Sequence, residues 1–277
     1  MNDRSDPLHI DTALTRRILT GFLRSETERA GFRRGVVGVS GGIDSALTCF
    51  LAAEALGPKN VLAVRLPYQG SSPDSLEDAA EVIRLTGVRE KTVDISDMAA
   101  PFLAFIPASG RVRRGNVLAR LRMIVLYDQS ADFQALVLGT GNKTEILLGY
   151  TTLFGDSACA LNPLGDLYKT QVRQLAADMG VPARILAKPP SADLWPGQTD
   201  EGELGFSYAK VDRLLVQLVD ERQSVEACIQ AGFDRATVKK VVERMQRNQY
   251  KRMPPIIAKL SQRTVGYDFL YLRDEGS

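Results

Sequence analysis

The chain has 277 residues, 44% of them hydrophobic and 25% charged, an ordinary globular composition with enough length to bury a large core. Its 35 lysines and arginines against 33 acidic residues leave a net charge near +2, too little to draw the molecule toward nucleic acid or an anionic membrane over long range. No apolar run approaches the ~20 residues that span a bilayer, and the polar N-terminal stretch lacks the apolar segment of a signal peptide, so a cytoplasmic protein is expected.

Residues 12–30 carry apolar side chains at helical spacing, and 35–39 then read as a buried strand. A helix over 45–56, stopped by Gly57-Pro58, leads to a strand over 61–66, and a helix over 74–85 precedes a strand over 91–95. Residues 116–130 read as an amphipathic helix, 135–138 as a strand, and 169–179 as a helix ended by Gly180 and Pro182. Short apolar strands alternating with helices mark a parallel sheet covered on both faces, so a doubly wound α/β core of about 12–190 is expected. The Gly/Pro-interrupted stretch 189–205 reads as a loop, and helical patterns follow over 208–220, 224–231 and 236–249. The whole chain is expected to form one domain, with a lid loop and a helical C-terminal part over about 191–277.

The most informative residues are Ser40-Gly41-Gly42-Ile43-Asp44-Ser45, between a strand and a helix. Glycines there let the backbone approach a ligand, and the free amides of a helix start point at an anion, which together make a phosphate cradle. No lysine follows as in GxxxxGK[ST], and the spacing is not GxGxxG. Asp44 inside such a cradle repels phosphate unless a cation stands between them, so it is a candidate magnesium ligand. Lys169 opens a helix, where a cation opposes the macrodipole; an anionic ligand would account for it. His9 is the single histidine, which removes Ser-His and Cys-His hydrolysis. Cys49, Cys159 and Cys228 lie far apart with no CxxC, which argues against a disulfide framework or a zinc site.

With these residues in view the sequence resembles the ATP pyrophosphatases whose first loop reads SGGxDS, and within them the ammonia-dependent NAD synthetases. The likeness runs through Gly38 to Ser45, Ala63-Val64-Arg65-Leu66-Pro67, Arg114-Gly115-Asn116, Ala119-Arg120-Leu121-Arg122-Met123 and Gly139-Thr140-Gly141-Asn142-Lys143-Thr144-Glu145. It continues in Phe154-Gly155-Asp156, in Asn162-Pro163-Leu164-Gly165-Asp166-Leu167-Tyr168-Lys169-Thr170 and in Pro190-Ser191-Ala192-Asp193-Leu194-Trp195. The resemblance implies a Rossmann-like fold of the adenine nucleotide alpha hydrolase type. It also implies ATP-dependent amidation of deamido-NAD by ammonia, through an acyl adenylate, with ATP and Mg2+ at the site.

Carried over position by position, the family's ATP contacts fall on Gly38, Val39, Ser40, Gly41, Gly42, Ile43, Asp44, Ser45, Thr140, Lys169 and Ser191. Its magnesium ligands fall on Asp44 and Glu145, and its catalytic residues on Asp156, beside the attacking nitrogen, and Lys169. Deamido-NAD is expected against Arg120, Tyr250 and Lys251, with Glu203 reaching it from a mobile lid over 198–205. Arg120 and Arg122 are two apart on a helix and so point to different faces. The resemblance also implies a homodimer. One synthetase-like unit accounts for the chain, so free ammonia is the expected nitrogen source.

The chain departs from the family in its substrate pocket, with Leu153 in place of a lysine, Ala160 in place of an aspartate and Tyr250-Lys251 in place of His-Lys. Adenylation of a different carboxylate is therefore an alternative. Another class of reading comes from 224–252, where two helical patterns joined through Gly232-Phe233 resemble a helix-turn-helix, the second rich in Lys239, Lys240, Arg244, Arg247, Lys251 and Arg252. Near-neutral charge opposes it, and no nucleic-acid or membrane partner is expected.

Overall fold

The computed structural model describes residues 6–69, 71–191 and 198–268. Helix α1 (Thr12–Arg29) is capped by Asp11 and leads into strand β1 (Gly35–Gly38). Helix α2 (Ile43–Leu56) follows, then β2 (Val61–Arg65), α3 (Pro73–Thr86) and β3 (Arg89–Thr92). Next come α4 (Ser96–Leu103), α5 (Arg111–Phe133) and β4 (Leu136–Leu138). The four strands are parallel in the order β3-β2-β1-β4, as the alternating pattern predicts.

Alternate strand residues feed opposite layers, as the period of two requires. Val37, Ala63 and Leu138 pack with α1, α2, α3 and the later helices α7 (Lys169–Asp178) and α8 (Ala183–Ala187). Val36, Leu62 and Val64 pack against α4 and α5 on the other face. Helix α2 is apolar on nearly every side because it is the central helix of its layer, packed by α1, α3 and α7. The chain therefore switches direction at β1, from which one connection runs to β2 and the sheet continues on the other side with β4. Ligands of open α/β sheets bind at the carboxyl ends of strands at such a point.

Strand β3 sits at 89–92 instead of 91–95, and its four residues are exposed at the sheet edge. The apolar residues that suggested 91–95 lie just past the ladder, where Val93 and Ile95 still donate to the carbonyls of Arg65 and Pro67 and Ile95 is buried.

The remaining helices are α6 (Lys143–Leu148), α9 (Asp200–Leu204), α10 (Tyr208–Leu215), α11 (Val225–Gln230) and α12 (Arg235–Arg247), with a π turn over Val216–Asp220. They share a second apolar cluster in which Tyr208, Val211, Leu214, Cys228, Val238 and Val241 close over Leu148 and Tyr168. The segment resembling a helix-turn-helix is thus a cap on α6 and the start of α7. Its basic residues are partly spent internally: Lys240 lies over the Phe206 ring and Arg244 donates to the carbonyl of Leu148. The stretch read as a loop over 189–205 is helical at 200–204, capped by Thr199, with Asp200 and Leu204 buried. Residues 192–197, which carry Ala192-Asp193-Leu194-Trp195, lie outside the described residues. No helix among the described residues is long and apolar enough to cross a membrane.

Candidate active site

The loops after β1 and β4 meet at the carboxyl end of the sheet. Gly41 adopts φ +82°, and a Cβ there would stand 2.2 Å from the carbonyl oxygen of Ser75, so the turn demands glycine. The loop is braced from within: Ser45 Oγ accepts from the amide of Ser40 at 3.1 Å and donates to the carbonyl of Gly42 at 2.9 Å. Gly42 is the N-cap of α2 and gives its first turn no side-chain partner, so the helix start faces the crevice with backbone amides.

Three charged side chains converge beside it. Lys169, at the first position of α7, is 2% exposed, and its Nζ lies 2.5 Å from Asp44 Oδ2 and 3.1 Å from Glu145 Oε1. Burial works against the ammonium, but Asp44 and Glu145 more than offset it and the Lys169 pKa is raised. Burial pushes the Glu145 carboxyl up to about 7, with Lys169 pulling the other way and Asp44 adding to the rise. Asn142 joins the two loops: its Nδ2 donates to Asp44 Oδ1 at 2.9 Å and its Oδ1 caps α6 by accepting from the amide of Glu145 at 3.0 Å. Thr140 lies in the same loop, half-buried.

The first amides of α7 are already used, Lys169 N by Thr144 Oγ1 at 3.0 Å and Thr170 N by Asp212 Oδ2 at 2.8 Å. Two carboxylates hold the lysine in place.

Glu145 also lines a cleft of about 210 Å3 with Gly141, Thr151, Asp156, Asn162 and Lys251. Asp156 is exposed and held by Thr151 Oγ1 at 2.6 Å and the amide of Thr152 at 2.7 Å. Lys251 donates to the carbonyls of Gly149 and Thr151, both at 2.8 Å; burial and the nearby Arg244 hold its pKa below the ordinary lysine value. Arg120 is exposed and donates to the carbonyl of Leu153, while Arg122 turns away to the carbonyl of Leu66, so the two do face apart. Tyr250 is exposed, and so is Ser191 in the loop after α8. Glu203 is engaged by Tyr150 Oη at 2.8 Å and Gln198 Nε2 at 3.0 Å.

Magnesium takes one or two carboxylates and completes its shell with phosphate oxygens and water. Asp44 and Glu145 meet that description, and among the described residues no group of three or more metal-binding side chains offers a cage of its own. The donor set thus suits a cation that arrives with a polyphosphate. Three residues here carried no role in the sequence: Asn142, Asp200 and Asp212. Asp212 left a signal, since it occupies an apolar position in the pattern Tyr208, Val211, Asp212, Leu215.

A parallel sheet with a glycine loop, an open helix start and paired carboxylates at its switch point defines a nucleotide-binding protein of the doubly wound class. The chain belongs to the NAD synthase family, whose model matches residues 15–255. It is 52% identical over 267 residues to the NH(3)-dependent NAD(+) synthetase of Chlorobium phaeobacteroides (strain BS1), covering 96% of each chain. Among solved structures it resembles NMN synthetase from Francisella tularensis, with TM-score 0.81 and 31% identity over 91% of this chain and 100% of that one. It also resembles the NH3-dependent NAD synthetase from Campylobacter jejuni subsp. jejuni, with TM-score 0.77, 31% identity and the same coverage.

Proposed function

We propose that the protein converts deamido-NAD to NAD with ammonia, cleaving ATP to AMP and pyrophosphate. A carboxylate oxygen of deamido-NAD attacks the α-phosphorus of ATP and pyrophosphate leaves. Ammonia then attacks the acyl carbon of the adenylate, AMP departs with the former carboxylate oxygen, and the amide nitrogen loses its extra proton. The observation that carries this is the meeting of Asp44, Glu145 and Lys169 beside the open start of α2, in a chain 52% identical to an NH(3)-dependent NAD(+) synthetase.

The amides around 41–45 would receive the pyrophosphate, and Lys169 supplies the buried positive charge that the departing phosphates need. Asp44 and Glu145 would hold magnesium, which when bound neutralises phosphate charge. Thr140 and Ser191 are assigned to ATP. Asp156, on the cleft wall with its carboxylate fixed by two donors, is assigned the proton from ammonia. Lys251, Arg120, Tyr250 and Glu203 are assigned to deamido-NAD. We read the functional unit as a cytoplasmic homodimer; the exposed apolar residues Ile124 and Tyr127 on α5 support a paired surface.

The likeness to NMN synthetase favours a second reading, the same adenylation on a mononucleotide acid. Incubation with ATP, magnesium and ammonium, with each acid offered separately, tests both. NAD, AMP and pyrophosphate from deamido-NAD are expected, and formation of ADP or preference for the mononucleotide would overturn the main assignment.

A further inference from the structure

Asp212 lies in the middle of α10, on the face that turns Tyr208, Val211 and Leu215 into the second apolar cluster, and it is 0% exposed. A carboxylate in such a place costs free energy unless donors surround it, and an apolar side chain would fill the position without that cost. Its donors come from two other helices. Oδ1 accepts from Thr144 Oγ1 at 2.6 Å, and Oδ2 accepts from both the amide and Oγ1 of Thr170, each at 2.8 Å. Thr144 Oγ1 in turn accepts from the amide of Lys169 at 3.0 Å.

The two threonines are the chain neighbours of Glu145 and Lys169. A single buried carboxylate therefore ties the first turns of α6 and α7 together at the residues that present the Glu145–Lys169 pair. We infer that Asp212 is a positioning residue for adenylation, one that fixes Glu145 and Lys169 in a common geometry toward the ATP phosphates without touching substrate. This rests on the function proposed above. Displacements on the order of 1 Å at such groups are enough to slow a reaction about 100-fold.

The test compares the wild type with Asp212→Asn, Thr144→Val and Thr144→Ser. It reads kcat, KM for each substrate, thermal stability, and calorimetric affinity for a non-hydrolysable ATP analogue with magnesium. Asp212→Asn keeps the volume but turns one carboxylate oxygen into an NH2, a donor that cannot accept from the threonine it faces, Thr144 or Thr170. The expected result is a fall in kcat of about 100-fold and in analogue affinity of about tenfold, with KM for deamido-NAD within about twofold. Thr144→Val should move the same way, and Thr144→Ser, which keeps the hydroxyl, should stay near wild type. A folded Asp212→Asn variant with wild-type kcat and analogue affinity overturns the inference. So does a uniform loss across both substrates that tracks thermal stability. If Asp212→Asn does not fold, the Thr144 pair decides, and equal behaviour of Val and Ser overturns it. A wild-type protein that makes no NAD refutes the proposed function instead, while analogue affinities still decide the role of Asp212.

Discussion

Lys169 Nζ lies 2.5 Å from Asp44 Oδ2, an ion pair between residues 125 apart in the chain that joins the pyrophosphate loop to the start of α7. Glu145 completes the arrangement at 3.1 Å, so one buried cation serves two carboxylates. Phosphate entering this place meets positive charge already desolvated, and a metal entering it meets carboxylates already paired.

Replacing the lysine separates those two consequences. Lys169→Met strands two largely buried carboxylates, and a destabilisation of about 3 kcal/mol is expected from urea unfolding. Magnesium should then stabilise the variant more than the wild type, because the cation takes the place of the ammonium. Equal magnesium responses in the two proteins would remove Asp44 and Glu145 as a metal pair.

Asp44→Asn and Glu145→Gln keep shape and remove the charge that a hard cation needs. Turnover should fall at least about 100-fold, whereas stability should change by no more than about 1–2 kcal/mol, because Lys169 keeps one carboxylate in each variant. Wild-type turnover at limiting magnesium in both would contradict the metal assignment.

Gly41 and Gly31 make a controlled pair. Both have φ near +80°, but nothing lies within 4 Å of a Cβ at Gly31, whereas one at Gly41 meets the carbonyl of Ser75 at 2.2 Å. Gly31→Ala should show backbone strain alone, about 1 kcal/mol, and leave ATP affinity intact. Gly41→Ala should cost more and lose ATP binding, measured with the same analogue. Similar effects of the two substitutions would mean that the close approach to α3 does not shape the loop.

Much of this site was legible in the sequence because its parts are local. The SGG turn, the strand before it and the helix after it are adjacent in the chain, and the order of short strands and helices led to the parallel sheet. The convergence of Asp44, Glu145 and Lys169 was not visible in spacing; the family resemblance put the first two together, and only the fold brings the lysine between them. Asn142 and Asp212 escaped because their work is done by contacts across 98 and 68 residues of sequence. The edge strand was displaced because buried apolar residues were read as strand, while the exposed 89–92 relies on backbone pairing alone. Segment 200–204 read as loop from Gly202 and its charges, yet it is helical and its Asp200 is taken up by Tyr150 and Tyr208.

The altered pocket residues Leu153 and Ala160 have a small expected effect. Ala160 is exposed and Leu153 half-buried, so an ion pair restored there is a surface one, of about 0–1 kcal/mol. Leu153→Lys with Ala160→Asp should lower KM for deamido-NAD by no more than about fivefold, and either change alone should do less. A larger gain from one charge alone would show that the dinucleotide, not the partner side chain, meets it.

The acyl adenylate is the central claim, and the fate of one oxygen tests it. Deamido-NAD labelled with 18O in its carboxylate, turned over with ATP, magnesium and ammonium, should transfer one label to the phosphate of AMP and leave pyrophosphate unlabelled. Label appearing in inorganic phosphate, with ADP as the nucleotide product, would mean attack at the γ-phosphorus and would contradict the account.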